Sequence, residues 1–97
     1  MFAPKNALQT FRISNITFIN EQSKEVEKDA LLIQLGLRIR ELRKMKNITQ
    51  AELAHNIGKD QQSIQRLEAG KINPSFFYLH EIAIGLSVPL REITEVF

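Results

Sequence analysis

Between Asp29 and Lys46 the apolar residues Leu31, Leu32, Leu35, Ile39, Leu42 and Met45 recur every three or four positions. Polar residues such as Arg38, Glu41, Arg43 and Lys44 fill the gaps, and that period predicts an amphipathic first helix. Val26, Ala30, Ile33 and Leu37 mark a second apolar stripe that a single core face does not require, and they allow the helix to begin earlier, near Ser23. Asn47 stands where the helix must stop, because asparagine follows glycine in preference for the left-handed C-terminal position. Thr49-Gln-Ala-Glu52 reads as a capping box opening a short second helix, with Leu53, Ala54 and Ile57 inward and Gly58 supplying a positive φ for a tight reversal. Asp60 caps a third helix in which Ile64 and Leu67 face the core while Gln61, Gln62, Gln65 and Arg66 face away, and Gly70 ends it. Asn73-Pro-Ser75 opens a fourth helix through Leu86, with Phe76, Leu79, Ile82, Ala83 and Leu86 as the expected buried stripe. Pro89 starts a last short helix that turns Leu90, Ile93 and Val96 inward.

Residues 1–28 lack this helical period. Phe11 to Ile19 is rich in β-branched and aromatic residues, as a strand would be, yet one strand cannot stand alone, so an ordered arm and a disordered extension both remain open. The expected division is therefore an arm, 1–28, extended or strand-like, and a helical domain, 29–97. Phe77, Ile84 and Phe97 exceed what one small core needs and point to a homodimer.

Composition narrows the function classes. A 97-residue chain with 43% apolar residues suits one modest core and leaves little room for a catalytic domain. With no cysteine, neither a disulfide scaffold nor a thiolate metal site can form, which favours a cytoplasmic protein. His55 and His80 lie 25 positions apart with no acidic cluster between them, so no metal and no cofactor is expected. No apolar run approaches the roughly 20 residues that span a bilayer, and the N-terminus does not read as a secretory signal. No nucleophile–base pairing or glycine-rich phosphate loop suggests an enzyme. Formal charge is only +2, but residues 38–71 carry eight Lys or Arg against four acids, net +4, whereas Ile72 to Phe97 has one base and three acids, net −2. Positive charge is thus concentrated around the short helices, where a polyanion can be met.

Two short helices joined by a glycine-containing turn, the second exposing polar side chains, form the pattern of a helix-turn-helix. Ala54 lets the two helices approach, and Gly58 lets the turn close. Over Leu35 to Ile93, about 60% of the chain, the sequence resembles the lambda-repressor-like (XRE-type, Cro and phage-repressor) family. The resemblance is carried by Leu35-Gly-Leu-Arg-Ile-Arg-Glu-Leu-Arg43, Thr49-Gln-Ala-Glu-Leu-Ala54, Ser63-Ile-Gln-Arg-Leu-Glu-Ala-Gly-Lys71 and Asn73-Pro74. It implies an all-α, five-helix bundle that binds double-stranded DNA as a dimer, and a structural ion pair between Arg43 and Glu68. Residues 1–28 lie outside the match. The chain departs from the family pattern at Lys59, where an apolar residue usually sits beneath the turn, at Ala69, and at Ser87, which stands in place of a usual glycine.

Chemistry then suggests roles. Gln61 and Gln62 are the leading base readers, because a glutamine amide pairs bidentately with adenine N6 and N7. Gln65 and Arg66 can meet a base, a phosphate or only water. Gln50 at the start of the second helix, Lys59, Lys71 and Asn73 are candidates for backbone phosphate, with Arg40 and Lys44 weaker ones. The expected function is a sequence-specific transcriptional repressor on a two-fold operator. The alternative is an antitoxin or restriction–modification controller built on the same core, with a toxin partner held by the N-terminal arm.

Overall fold

The computed structural model describes residues 21–95. Five helices follow in order: α1 (Glu21–Met45), α2 (Gln50–Asn56), α3 (Gln61–Glu68), α4 (Phe76–Leu86) and α5 (Leu90–Thr94). Among the described residues there is no strand, so the expected all-α, five-helix architecture is the one observed. The strand reading of Phe11 to Ile19, the inward placement of Val96 and the part of Phe97 in a dimer surface fall outside the described residues. α1 passes residue 28 without a break, so residues 21–28, expected to belong to an extended or strand-like arm, are helical, and the earlier of the two helix starts is the one observed.

Local signals explain where the helices stop and start. Asn47 adopts φ 57° after α1, Gly58 φ 70° after α2 and Gly70 φ 73° after α3. The Thr49 hydroxyl accepts the Glu52 N–H at 3.0 Å while the Glu52 carboxylate accepts the Thr49 N–H at 2.8 Å, completing the capping box. Ser75 caps α4 by accepting the Tyr78 N–H at 3.0 Å. Ser87 ends α4 in the left-handed region at φ 58°, where a glycine would be unstrained.

The core joins Leu35, Ile39 and Leu42 of α1 to Leu53 and Ala54 of α2, Ile64 and Leu67 of α3, Ile82, Ala83 and Leu86 of α4 and Ile93 of α5. Four expected core residues lie outside it and outside the hydrophobics packed against it. Leu31 is 43% and Met45 69% exposed, because the core takes from α1 only the stretch from Leu35 to Leu42, and Leu32 is only half-buried. Phe76 is 75% exposed. It shares a helical face with Leu79 and Ala83, but side chains lean toward a helix's N-terminus, so one in the first turn leans past the edge of the bundle. The second stripe of α1, Val26, Ala30, Ile33 and Leu37, remains exposed.

Two contacts hold α1 against α3. At Gly36 the backbones approach so closely that an added Cβ would meet the carbonyl oxygens of Glu68 and, at 2.6 Å, Leu67. Two turns further along α1 the Arg43 guanidinium grips the Glu68 carboxylate from two nitrogens, Nε to Oε2 at 2.6 Å and Nη2 to Oε1 at 2.9 Å. Both side chains are out of water, 9% and 3% exposed. Arg43 Nη1 donates to the Ile48 carbonyl at 2.8 Å and Gln50 Nε2 to Glu68 Oε1 at 3.0 Å, so the pair is tied to the start of α2 as well. The hydrogen bond and charge of Glu68 raise the Arg43 pKa further above its already high value, so the guanidinium stays charged. Between Gly36 and Arg43 on α1, Arg38 ties the helix to α5 and the residue after it through the Glu92 carbonyl at 2.8 Å and Glu95 at 2.9 Å.

Removing one member of a buried pair strands the other charge. Arg43→Met and Glu68→Leu should each lower unfolding free energy by about 3–5 kcal/mol in urea denaturation, and the double variant should lose less than their sum. Additive losses would show that the two side chains act separately. Gly36→Ala should destabilise by about 1–3 kcal/mol, since backbone carbonyls cannot rotate aside as a side chain can, and this exceeds the helix-propensity gain of up to about 1 kcal/mol. An unchanged or higher urea midpoint would mean that α1 can move away from α3.

Candidate nucleic-acid interface

The segment from α2 to α3 is a two-helix unit closed by backbone bonds. Gly58 N–H donates to the His55 carbonyl at 3.3 Å and Lys59 N–H to the Ala54 carbonyl at 2.8 Å, the paired bonds of a Schellman turn. Ala54 is buried where α2 meets α3, and its small side chain permits the approach. Asp60 then takes an extended conformation and accepts the Ser63 N–H at 2.8 Å, capping α3. That backbone hydrogen bond, assisted by the Ser63 side chain, lowers the Asp60 pKa, so the cap is ionised at neutral pH.

Burial of Ile64, Leu67 and Glu68 fixes which way α3 faces. Gln61, Gln62, Gln65 and Arg66 are all exposed, on the side away from the core. Gln61 also lines an open cleft with Arg40, Arg43, Lys44, Asn47, Ile48, Thr49 and Gln50. The fold thus brings two of the sequence-selected glutamines, from the starts of α2 and α3, into one concavity with exposed cations of α1. Gln50 is only half-buried and anchored to Glu68, an orientation that the sequence did not reveal. Arg40 and Lys44, the weaker candidates from sequence, line this cleft beside Gln50 and Gln61.

The remaining candidates lie elsewhere. Lys71 and Asn73 line a second concavity, between the loop after α3 and the N-terminal half of α1, which also contains Lys28 and the acids Glu25 and Asp29. These acids temper the positive field around Lys71, and only the tertiary arrangement brings them there. Lys59 Nζ lies 3.7 Å from Glu81 Oε1 and 5.2 Å from the centre of the Tyr78 ring, both on α4. His55 and His80 are exposed on different helices, and among the described residues no three potential ligands gather to hold a metal. No described helix is long and apolar enough to cross a membrane.

Known proteins share this arrangement. The Helix-turn-helix family model matches residues 39–93, a span that holds α2, α3, α4 and all but the last residue of α5. An uncharacterized HTH-type transcriptional regulator of Methanothermobacter thermautotrophicus is 46% identical over 48 residues, covering 50% of this chain and 70% of its own length. A second regulator so described, from Archaeoglobus fulgidus, is 39% identical over 56 residues, 58% of this chain and 79% of its own. Among solved structures, the restriction-modification controller protein C.AhdI from Aeromonas hydrophila superposes with a TM-score of 0.64 at 34% identity. The superposition covers 66% of this chain and 97% of C.AhdI. The clp gene regulator ClgR from C. glutamicum gives 0.65 at 25% identity, over 67% of this chain and 84% of its own. With a turn closed by Gly58, a capped α3 and an outward row of glutamines, this chain belongs to the helix-turn-helix, XRE-type family of DNA-binding transcriptional regulators.

Proposed function

We propose that the protein is a repressor that binds a two-fold operator as a homodimer, with α3 in the major groove of each half-site. The observation that carries this reading is the outward row Gln61, Gln62, Gln65 and Arg66 on a helix whose opposite face is locked by Ile64, Leu67 and the buried Arg43–Glu68 pair. A reading helix must hold its side chains in register, and this one is fixed from behind while its polar face is free. Gln61 and Gln62 read bases, while Gln65 and Arg66 extend the same row. Gln50, with Arg40 and Lys44 along the shared cleft, meets backbone phosphate on one side of the groove, and Lys71 and Asn73 do so at the far end of α3. The exposed Phe77 and Ile84 of α4 support self-association. Two-fold related reading helices about 34 Å apart would match half-sites one DNA turn apart. The proposed compartment is the cytoplasm.

The likeness to C.AhdI favours one second reading, a restriction–modification controller, which shares every contact above and differs in the genes that the operator serves. A toxin partner would belong to residues 1–28, of which 21–28 form the first turns of α1 and 1–20 lie outside the described residues.

Selection of bound sequences from random duplex DNA tests the reading. It should return two-fold sites with half-sites about one helical turn apart, whereas an asymmetric single site would overturn the dimer. Gln61→Ala should relax selection at one adenine per half-site and cost on the order of 1–3 kcal/mol on operator, with little change on scrambled duplex. Gln62→Ala should affect the neighbouring pair. Equal losses on both duplexes would assign the glutamines to phosphate instead.

Lys71→Ala should weaken binding to all sequences alike and reduce the slope of log affinity against log salt by about 1. A loss confined to one base position would instead make Lys71 a reader of sequence.

A further inference from the structure

Lys59 stands between Gly58, which turns the chain, and Asp60, which caps α3. Its N–H closes the Schellman turn, at the position whose side chain commonly folds back as an apolar contact against the helix just ended. An ammonium cannot be left in such a contact, although its aliphatic stem can. Here the ammonium reaches across to α4, between the Glu81 carboxylate and the face of Tyr78. Tyr78 and Glu81 are three residues apart and so neighbours on one helical face. The Tyr78 hydroxyl is buried and finds no hydrogen-bond partner among the described residues, while its ring faces the ammonium as a π surface. Burial, with Asp60 and Glu81 nearby, pushes the phenol pKa up and keeps it neutral.

We propose that Lys59 is a positioning residue of the DNA site, clamped by Glu81 and Tyr78 so that α3 leaves the turn at a set angle, and that its charge is satisfied within the protein and not by a phosphate. This inference rests on the DNA-binding reading above. The base-reading residue Gln61 lies two positions beyond Lys59, so a shift at the turn is passed directly to the row of glutamines.

The two roles for Lys59 make opposite predictions at Glu81. If the lysine met phosphate, Lys59→Met would weaken operator and scrambled DNA together and reduce the salt slope by about 1. Glu81→Gln would then free the lysine and tighten binding. The clamp predicts instead that both variants lower the ratio of operator to scrambled affinity about fivefold, the order that a partly exposed cation–π contact and ion pair can transmit. The salt slope should stay unchanged, Lys59→Arg should restore most of the ratio, and the double variant should be no worse than either single one. An unchanged ratio, a reduced slope for Lys59→Met, or tighter binding by Glu81→Gln would each overturn the clamp. Amide chemical shifts of Gln61 to Ile64 in the free protein provide a readout independent of DNA. Both variants should move them in the same direction, and no movement would refute the clamp even if the wild-type chain showed no preferred duplex.

Discussion

A guanidinium and a carboxylate taken out of water together are tolerable only if every strong donor and acceptor finds a partner, and the Arg43–Glu68 pair meets that condition with atoms from three parts of the chain. Glu68 lies at the end of α3, Arg43 at the end of α1, and Ile48 and Gln50 supply the remaining bonds from the loop and the start of α2. α2 and α3 therefore cannot turn independently about α1 without breaking charged hydrogen bonds in a dry site. A wholly apolar contact would permit small slides, whereas bidentate geometry does not.

The close crossing at Gly36 and the polar lock at Arg43 lie two turns apart on α1, and together they fix both position and rotation of α3. The outward row of glutamines is a consequence of that rotation. Gln50 belongs to both systems, since its amide nitrogen touches the buried pair while its residue lines the open cleft with Gln61. A change at the buried pair is thereby felt on the surface proposed to meet DNA. The electrostatic environment differs between the two ends of α3: exposed Arg40 and Lys44 flank the Gln61 end, whereas Glu25 and Asp29 stand near Lys71 at the other.

The sequence by itself determined the features whose causes act over three to five residues. The helix stops at Asn47, Gly58 and Gly70, the Thr49–Glu52 capping box, the Asp60 cap, the opening of α4 after Asn73-Pro-Ser75 and the inward face of α3 were all legible, because each depends on local hydrogen bonding or on helical period. The family pattern added the Arg43–Glu68 pairing, which no spacing rule could supply across 25 positions. Only the tertiary structure decided the rest. Leu31, Met45 and Phe76 have apolar spacing yet lie in water, because burial depends on what stands opposite a side chain and not on its period. Gly36 carried no local signal, since its role is set by carbonyls on another helix. Lys59 read as a candidate phosphate contact, and only the fold placed Glu81 and Tyr78 of α4 beside it, since a charge has no assigned partner until the chain brings one within reach.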